Sequence, residues 1–387
     1  MVNVTLELTD EEVLDYARGG LEKHLALEAD GYKCSTEGIL DVLVGVAVTQ
    51  ATLESVCADL VGTPDPETIR RYLNEQLTPE RLPELQQQLN EALGDEIPKR
   101  VWRQERDIAI DLHDRPYYGS APEEEALWVR GPAKKGTTRF HRLATAYVIL
   151  NGMRFTLAID FFLPGDTHVT VLETLLERVR TLGIPIRRLF LDRGFASIAV
   201  MTYLEQHAVP TVIACPIRGK GGGTRGLCQG RKSYRTQHEF KNATQSFVAD
   251  LAVCRAFTTA KRTGRMKKRA TWMIFILIHI DLSPRQVRRL YRRRFGIETS
   301  YRCAAQVRGW TTSRNPAYRF LLLGLSFFVT NVWLHLRWLF TQVPRRGCRY
   351  LDVGRFQLAR LAKFITRTLE RRYGCVRKIT APSVPIP

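Results

Sequence analysis

The sequence predicts an α/β protein in which a helical N-terminal domain precedes a sheet-containing core, and a basic, β-rich insertion interrupts that core. Three observations support this prediction. Residues 1–99 have helical periodicity, short apolar strand-like runs begin near residue 100, and a carboxylate-bearing helix follows only after a Gly-rich basic stretch. The predicted boundaries are 1–99, 100–215, 216–281, 282–343 and 344–387, the last being a basic helix and tail.

Charge and cysteine usage restrict the functional class. The chain has 387 residues, enough for two or three domains, and a formal net charge of +19. An excess of this size favours a polyanionic partner, usually nucleic acid, and it begins after the mildly acidic first hundred residues. The eight cysteines contain no C-x-x-C pair, which disfavours a structural zinc site or a disulfide framework and favours a reducing cytosol.

Targeting and membrane signals are weak. Acidic residues crowd the start of the chain, so no signal peptide is expected and the predicted location is cytoplasmic. The apolar run 320–337 approaches the length of a membrane span. Because Asn331, His335 and Arg337 interrupt it, a buried core helix is the favoured interpretation, with no membrane partner.

The N-terminal domain contains a candidate DNA-binding motif. Asp65 fits a helix N-cap and Pro66 fits the first helical position after it. The two short helices around this break, the second carrying Thr68, Arg70 and Arg71, resemble a helix-turn-helix. A plain helical hairpin is an equally good interpretation, and both remain open.

The core consists of apolar strands, two of which end in aspartate. Asp111 ends the first strand, Asp192 ends a later one, and Asn151-Gly152 is a hairpin signal between two others. Three adjacent antiparallel strands followed by a helix and a parallel strand are the order of an RNase H-like core. The predicted elements are strands 106–111, 142–150, 153–160, 187–191 and 211–214, with helices 171–181 and 197–206.

The insertion, residues 216–281, is basic and rich in strand-forming residues. Its Gly-rich stretch lacks the Gly-Lys-Ser/Thr of a P-loop. Strand-like runs at 247–257 and 270–280 flank a tip that includes Lys267, Lys268 and Arg269. Because the whole chain is strongly basic, a phosphate-contacting arm is favoured over a merely solvated loop.

A helix over residues 291–308 brings one carboxylate among aromatic and cationic residues. At about 100° per residue, Tyr291, Arg294, Glu298, Arg302 and Ala305 lie within a sector of roughly 80°. Taken alone, the pattern fits equally well a solvated basic helix whose glutamate pairs with its arginines.

Three carboxylates share a pattern that suits divalent metal ions. Asp111 and Asp192 lie at the ends of apolar strands, and Glu298 lies on a helix after a long insertion. Oxygen ligands suit hard cations, and phosphoryl transfer commonly uses two metals about 3.5–4 Å apart, one activating the attacking hydroxyl and one stabilising the leaving oxygen. The first ligand remains open between Asp111 and Asp114, which lies beside His113. Asp111 is favoured because it ends the strand directly. Asp160 is a weaker candidate.

The spacing Tyr291–Arg294–Glu298 matches residue for residue a Y-x2-R-x3-E-x6-K signature. Over residues 100–340 the chain resembles the cut-and-paste insertion-sequence transposases that have a DDE triad and this signature, in particular the subgroup typical of haloarchaea. The further blocks that carry the resemblance are Ile110-Asp111-Leu-His-Asp114, Pro116-Tyr-Tyr-Gly119 and Leu191-Asp192-Arg-Gly-Phe195.

The resemblance implies a Mg²⁺-dependent DNA transposase, with Mn²⁺ as a substitute ion. Such an enzyme binds terminal inverted repeats, hydrolyses phosphodiester bonds and joins the free 3′-hydroxyl to target DNA. Its partners are the transposon ends and the target DNA. A homodimer is expected in the synaptic complex because the protein acts on two ends, and a prokaryotic, nucleoid-associated location is expected.

The resemblance also implies roles for individual residues. Asp111, Asp192 and Glu298 are the catalytic and metal-binding set, whereas Tyr291 and Arg294 steady phosphates near a flipped base. Relatives with this signature form a hairpin intermediate, and an extruded base needs an aromatic or apolar surface. Trp272 in the insertion is a candidate for that surface, and a core tryptophan is the alternative interpretation.

The chain departs from the signature at its lysine, which is Ala305 here. Arg302 lies one turn earlier on the same predicted face and is the favoured substitute cation, with Arg308 as a less direct one. Two rival functions share parts of the pattern. An RNase H-like nuclease or resolvase needs the same triad, whereas a non-catalytic DNA-binding protein derived from a transposase does not.

Overall fold

A computed structural model of the chain describes residues 7–32, 34–150, 153–219, 223–262, 265–345 and 348–379. The side chains of residues 258–269, 295, 297 and 344–349 are outside this description. The hairpin turn predicted at Asn151-Gly152 therefore lies outside the described residues, as do the side chains of Lys267, Lys268 and Arg269.

The helices, in chain order, are α1 (Asp10–Glu22), α2 (Thr36–Thr49), α3 (Leu53–Asp59), α4 (Pro66–Gln76), α5 (Leu82–Asp95), α6 (Lys99–Trp102), α7 (Glu123–Ala126), α8 (His168–Thr181), α9 (Ile198–Gln206), α10 (Gly223–Gly226), α11 (Pro284–Tyr291), α12 (Gly296–Ala305), α13 (Pro316–Phe340) and α14 (Leu358–Tyr373). Short 3₁₀ turns cover Pro79–Arg81, Arg193–Phe195 and Arg292–Phe295.

The strands are β1 (Asp30–Gly31), β2 (Cys34–Ser35), β3 (Arg106–Pro116), β4 (Val129–Lys134), β5 (Thr137–Leu150), β6 (Met153–Phe162), β7 (Ile186–Leu191), β8 (Thr211–Cys215), β9 (Tyr234–Lys241), β10 (Ser246–Arg262), β11 (Arg265–Ile278), β12 (Gln342–Arg345) and β13 (Cys348–Leu351).

The chain forms two compact units. The sheet unit comprises residues 98–118 and 128–300, and the helical unit comprises residues 1–97, 119–127 and 301–387. The sequence had suggested that the segments after residue 282 belong to the core or form a separate tail. The structure instead groups residues 301–387 with the N-terminal helices.

A long mixed sheet organises the sheet unit, in the order β4-β5-β3-β7-β8-β11-β10-β9 with β6 also paired to β5. β3 and β6 each pair with β5 antiparallel, whereas β3–β7 and β7–β8 are parallel. Helix α9 connects the parallel strands β7 and β8. This arrangement confirms the predicted order of three antiparallel strands followed by parallel ones.

The insertion strands belong to the same sheet. β11 pairs antiparallel with β8 through Ile274↔Cys215 to Ile278↔Thr211, and β10 pairs with β11. The prediction treated the insertion as a separate β-rich domain and did not include β9. The apolar residues of β10 and β11 that lie close to β8 are buried, Leu251 and Ile276 completely. These strands therefore extend the hydrophobic core of the sheet unit and do not form a separate one.

The expected continuous helix from residue 291 to 308 is broken. A 3₁₀ turn at Arg292–Phe295 separates α11 from α12. Arg154 from β6 lies against this break and donates from Nη2 to the Arg293 carbonyl at 3.2 Å. A Cβ at Gly296 would come within 1.8 Å of the same guanidinium. A side chain inserted beside the backbone is a recognised cause of such interruptions.

The C-terminal helix is tied to the N-terminal helices by buried charge. Asp41 on α2 is completely buried and accepts hydrogen bonds from Arg372 Nη1 at 2.9 Å and from the Tyr373 hydroxyl at 2.9 Å. Arg372 Nη2 also donates to Asp15 on α1 at 2.8 Å. Because a buried carboxylate needs compensation, these contacts fasten α14 to α1 and α2 within the helical unit.

Helix α4 begins as predicted, since Asp65 Oδ2 accepts from the Thr68 amide at 3.1 Å. The guanidinium of Arg70, however, pairs with the carboxylates of Glu54 and Glu67 within the helical unit. Six residues, 60–65, connect α3 to α4. The helix-turn-helix interpretation stays a prediction, and Arg70 is already neutralised.

By length and composition, α13 is apolar enough to cross a membrane, and the bent pair α2–α3 passes the same test if it is counted as one span. Within α13, however, 83% of the most apolar window is buried inside the protein. Asn331, which interrupts the apolar run, donates from Nδ2 to the Leu93 carbonyl at 3.2 Å. The helix therefore packs as a core helix of its unit.

Candidate active site

Two aspartates lie side by side where the parallel strands β3 and β7 separate. Their last paired residues are Ile110 and Leu191, so Asp111 and Asp192 come next on neighbouring strands. Asp111 remains paired with Thr145 of β5 on its other side. The carboxyl ends of parallel strands meet at one edge of a sheet, and this edge carries the two carboxylates.

The sequence had suggested that Asp111 ends its strand, but the structure shows that it does not. β3 continues through Pro116 alongside β5, whereas β7 stops at Leu191. Asp111 is thus the first residue of β3 that has lost β7 as a neighbour. Its side chain is 18% exposed and that of Asp192 is 33% exposed, so both lie in a partly closed site.

Asp192 is oriented by the chain that follows it. It is the N-cap of the Arg193–Phe195 turn, and its Oδ1 accepts from the Gly194 amide at 2.6 Å. A Cβ at Gly194 would come within 2.9 Å of that oxygen. The Asp-x-Gly spacing is therefore a structural requirement, whereas in the sequence it stands out only as part of a family block.

Tyr291 anchors α11 beneath the same edge. Its hydroxyl donates to the Leu191 carbonyl at 3.0 Å, and its ring lies between Phe190 and Phe275, at centroid distances of 6.2 and 4.8 Å. Burial raises the pKa of Tyr291 to about 12, so the hydroxyl remains protonated and donates. The side chain is 5% exposed, and it contacts the strand that leads into Asp192.

Arg294 bridges the two aspartates. Its Nη2 lies 2.5 Å from Asp111 Oδ1 and 4.0 Å from Asp192 Oδ2, and its guanidinium carbon is 5.7 Å from the centroid of the Tyr291 ring. Its Nε is buried and has no hydrogen-bond partner within the described chain. One cation therefore compensates a pair of carboxylates at the centre of the site.

Glu298 contributes to the electrostatic field at this centre. It lies in the first turn of α12 and is exposed. The pKa of Asp111 is raised to about 6, chiefly by burial, while Arg294 lowers it and the charges of Asp192 and Glu298 raise it further. The other two predicted carboxylates thus both act on Asp111.

The donor set fits a hard divalent cation. Asp111, Asp192 and Glu298 offer only carboxylate oxygens, the ligands that Mg²⁺ prefers. The negative charges of Asp192 and Glu298 repel that of Asp111 and raise its pKa. A bound cation would relieve this repulsion. Over the residues that can be described, however, no three acidic, His or Cys side chains approach closely enough to form a preformed metal cluster.

Asp114 forms an ion pair with Arg142. Arg142, directly opposite it on β5, donates from Nε and Nη2 to its two oxygens at 2.7 and 3.3 Å. Successive strand residues alternate between faces, so Asp114 lies on the opposite face of β3 from Asp111. Asp160 is buried on β6, which β5 separates from β3. These contacts favour Asp111 as the first ligand.

Trp272 lies in β11 directly opposite Arg255 of β10 and is half-buried. The Arg255 guanidinium carbon is 6.0 Å from the Trp272 ring centroid and 5.2 Å from that of Phe257. Phe257 is 59% exposed. Arg255 and Phe257 were not predicted from the sequence, because their proximity to Trp272 depends on the register of two strands.

The remaining predicted residues belong to the helical unit or lie on the β11 backbone. Arg302 is exposed on α12, four residues after Glu298, and Ala305 is exposed at the end of that helix. Arg308 has its guanidinium carbon 5.8 Å from the centroid of the Trp310 ring, and burial lowers its pKa. Lys267, Lys268 and Arg269 occupy β11 opposite Ala260, Thr259 and Thr258.

The mixed sheet and its acidic edge belong to a known class of protein. Residues 102–332 match the family model described as the transposase DDE domain. Because the match covers more than half of the chain, this chain belongs to the DDE-domain transposase family.

A solved structure supports the same fold. The cryo-EM structure of the piggyBac transposase synaptic complex with hairpin DNA is similar to this chain, with a TM-score of 0.53 and 11% sequence identity. The similarity covers 97% of this chain and 80% of that chain. No curated protein sequence matches the chain significantly. At this identity the likeness is one of fold.

Proposed function

We propose that this protein is a DNA transposase that binds terminal inverted repeats, cleaves DNA phosphodiester bonds and joins the 3′-hydroxyl ends to target DNA. It would be a member of the group with the Y-x2-R-x3-E-x6-K signature and of the subgroup typical of haloarchaea, built on an RNase H-like core. One observation carries the proposal: Asp111 and Asp192 follow the last pair of β3 and β7, and Arg294 joins them.

Asp111, Asp192 and Glu298 would hold two Mg²⁺ ions, with Mn²⁺ as a substitute. When bound, such ions lower the pKa of an attacking water or hydroxyl and stabilise the leaving oxygen. The protein's own contribution is orientation and charge. The Gly194 amide holds one oxygen of Asp192, and Tyr291 holds the strand end at Leu191.

Protonation of Asp111 would control the site. With a pKa of about 6, its carboxyl group is largely ionised only above that pH, and only the ionised form binds a cation well. Arg294 neutralises this carboxylate in the absence of metal. On metal and DNA binding, its guanidinium would turn to a phosphate oxygen, for which its unpartnered Nε provides a further donor.

Cationic side chains that lie away from the two aspartates would make further DNA contacts. Arg302 follows Glu298 by one helical turn and would replace the signature lysine absent at Ala305, with Arg308 in a secondary role. Lys267, Lys268 and Arg269 would contact the DNA backbone. Trp272 would stack with an extruded base beside Arg255. Tyr291, being buried, would position the strand end rather than contact phosphate.

The test compares cleavage with binding. We expect Asp192→Ala and Glu298→Ala to abolish cleavage of the element's terminal DNA while leaving duplex binding nearly unchanged. Glu177→Ala, an exposed acid on α8, is the control and should retain cleavage. Full cleavage by either site variant would overturn the triad assignment.

The same assay separates the transposase from its rivals. A labelled donor with a free 3′-hydroxyl should yield strand-transfer products in plasmid DNA. Cleavage without joining would identify a nuclease or resolvase, and binding without cleavage would identify a non-catalytic derivative. Inverted repeats that bracket the reading frame would supply the substrate sequence.

The proposed assembly is a homodimer acting on two transposon ends in a prokaryotic, nucleoid-associated cytoplasmic setting. The neighbour of known structure is described as a synaptic complex, which makes a paired-end assembly the natural expectation for this chain. Light scattering with and without end DNA tests it. A monomer bound to a single end under catalytic conditions would contradict it.

A further inference from the structure

The hairpin formed by β10 and β11 extends further than the strands that flank it, β9 and β8. β9 pairs with β10 only as far as Tyr234↔Val253, and β8 pairs with β11 only as far as Cys215↔Ile274. The two hairpin strands continue to pair out to Arg262↔Arg265. From Phe257↔Ala270 outward, no described strand flanks either edge, and the hairpin becomes a two-stranded ribbon.

The root of this ribbon is held firmly. The Arg255 amide donates to Ser233 Oγ at 2.9 Å, and Arg255 Nη1 donates to the Arg231 carbonyl at 2.9 Å. The same guanidinium lies beside the rings of Phe257 and Trp272. Cys254 is buried and its thiol donates to the Pro284 carbonyl at 3.2 Å. The ribbon therefore projects from a fixed base.

The composition of the ribbon differs from that of the rest of the sheet. Residues 257–270 contain six Lys or Arg residues and no Asp or Glu. An isolated two-stranded hairpin is marginally stable at best in water, so a ribbon of this length is expected to gain stability from a partner. The concentration of one charge points to a polyanion.

The length of the ribbon and its two-stranded form suit the major groove of duplex DNA. Six further residue pairs at about 3.4 Å per residue give a projection of roughly 20 Å. The major groove of B-DNA is about 12 Å wide and about 8.5 Å deep, and it admits a two-stranded β-ribbon.

We propose that the β10–β11 ribbon, the paired residues 257–262 and 265–270, enters the major groove of duplex DNA and reads base edges there. The proposal rests on the proposed transposase function. It adds base readout to the phosphate contacts already expected from Lys267, Lys268 and Arg269.

The experiment uses the full chain and a duplex of the element's own terminal sequence. The ribbon variant is Lys267→Gln/Lys268→Gln/Arg269→Gln. The matched control, Arg360→Gln/Lys363→Gln/Arg367→Gln, removes three exposed charges from α14. Guanine N7 methylation interference reports the major groove, and phosphate ethylation interference reports the backbone. Circular dichroism and a thermal melt verify that both variants are folded.

We expect N7 methylation to block wild-type binding over a few base pairs, and the ribbon variant alone to lose that interference. Its affinity should fall by roughly tenfold or more, and the slope of log K against log salt should decrease by about 2–3. The α14 control should keep the N7 pattern. Loss of ethylation interference alone, or an unchanged pattern, would overturn the proposal.

Cleavage separates this proposal from the proposed function. If the wild-type protein cleaves its ends while the ribbon variant binds with an unaltered N7 pattern, only the ribbon assignment fails. If the wild-type protein does not cleave at all, the transposase function fails, whatever the interference pattern. A second variant with residues 259–268 replaced by Asn-Gly repeats the test without relying on charge alone.

Discussion

Arg294 Nη2 lies 2.5 Å from Asp111 Oδ1 and 4.0 Å from Asp192 Oδ2, so one guanidinium joins two carboxylates from neighbouring strands. Arg294 comes from the turn between α11 and α12, more than a hundred residues after Asp192. This bridge neutralises part of the negative charge that the two aspartates place at the sheet edge. It also occupies a carboxylate oxygen that a metal ion would use, and the first prediction tests this competition.

Replacement of Arg294 by Met should destabilise the metal-free protein by about 1–3 kcal/mol, because two carboxylates lose their compensating cation. The same change should tighten Mn²⁺ binding, since the competing cation is gone. Chemical denaturation in EDTA and calorimetric titration with Mn²⁺ measure the two effects. Arg193→Met removes a neighbouring exposed charge and should change neither strongly. Unchanged Mn²⁺ affinity in Arg294→Met would exclude the competition.

Asp111→Asn should stabilise the metal-free protein at pH 7.5. The pKa of Asp111 is about 6 in the folded state against an ordinary value of 3.8, so its ionisation opposes folding. The resulting penalty is absent below about pH 4, grows as pH rises towards 6 and is complete above that. The gain should be about 1–3 kcal/mol, measured by urea denaturation between pH 5 and 8.

Asp114→Asn is the matched control, and it should act in the opposite direction. It breaks the two-point ion pair with Arg142 and should cost about 1–3 kcal/mol. Loss of stability in both variants would show that Asp111 carries no ionisation penalty.

Tyr291→Phe removes the hydrogen bond to the Leu191 carbonyl. We expect a loss of about 0.5–1.5 kcal/mol of folding stability and a several-fold decrease in cleavage rate with unchanged DNA affinity, because Asp192 follows the released carbonyl. Tyr118→Phe removes the same kind of bond, to the Lys135 carbonyl at 2.8 Å, from a tyrosine that is 70% exposed. Equal effects of the two changes would argue against a positioning role for Tyr291.

Arg302→Ala should weaken strand transfer more than Ala305→Lys alters it. Arg302 lies four residues after Glu298 in α12, which places both on one helix face, whereas Ala305 occupies the signature position without a charge. Product yields from a pre-cleaved 3′-hydroxyl donor measure the step directly. The reverse order would show that Arg302 is not the substitute cation.

Arg372→Ala should destabilise the helical unit by about 2–4 kcal/mol, because it removes the closest cation from the fully buried Asp41. Its neighbour Arg371 pairs with Asp10 at 2.6 Å, but its side chain is 59% exposed. Arg371→Ala should therefore cost less than about 1 kcal/mol. Thermal melts of the two variants provide the comparison, and similar losses would contradict the buried network.

The local features of this protein were readable from its sequence. Asp65 caps α4 as predicted, and the strands around Asp111 and Asp192 begin within a residue of their predicted starts. Strand periodicity, caps and turns arise from residues that are close in the chain, so a single sequence carries them. Asp111 and Asp192 were predicted as site residues for this reason.

The tertiary structure decided what depends on distant partners. Arg142 on β5 separates Asp114 from Asp111, and Arg154 on β6 breaks the helix before Glu298. Neither partner is marked by any local pattern, because strand register and long-range ion pairs are fixed only when the sheet assembles. The sequence alone therefore singled out the candidate carboxylates and left Asp111 and Asp114 as alternatives for the first of them. Only the fold showed that Arg294 joins Asp111 and Asp192, and that residues 301–387 group with the N-terminal helices, where Arg372 pairs with Asp41.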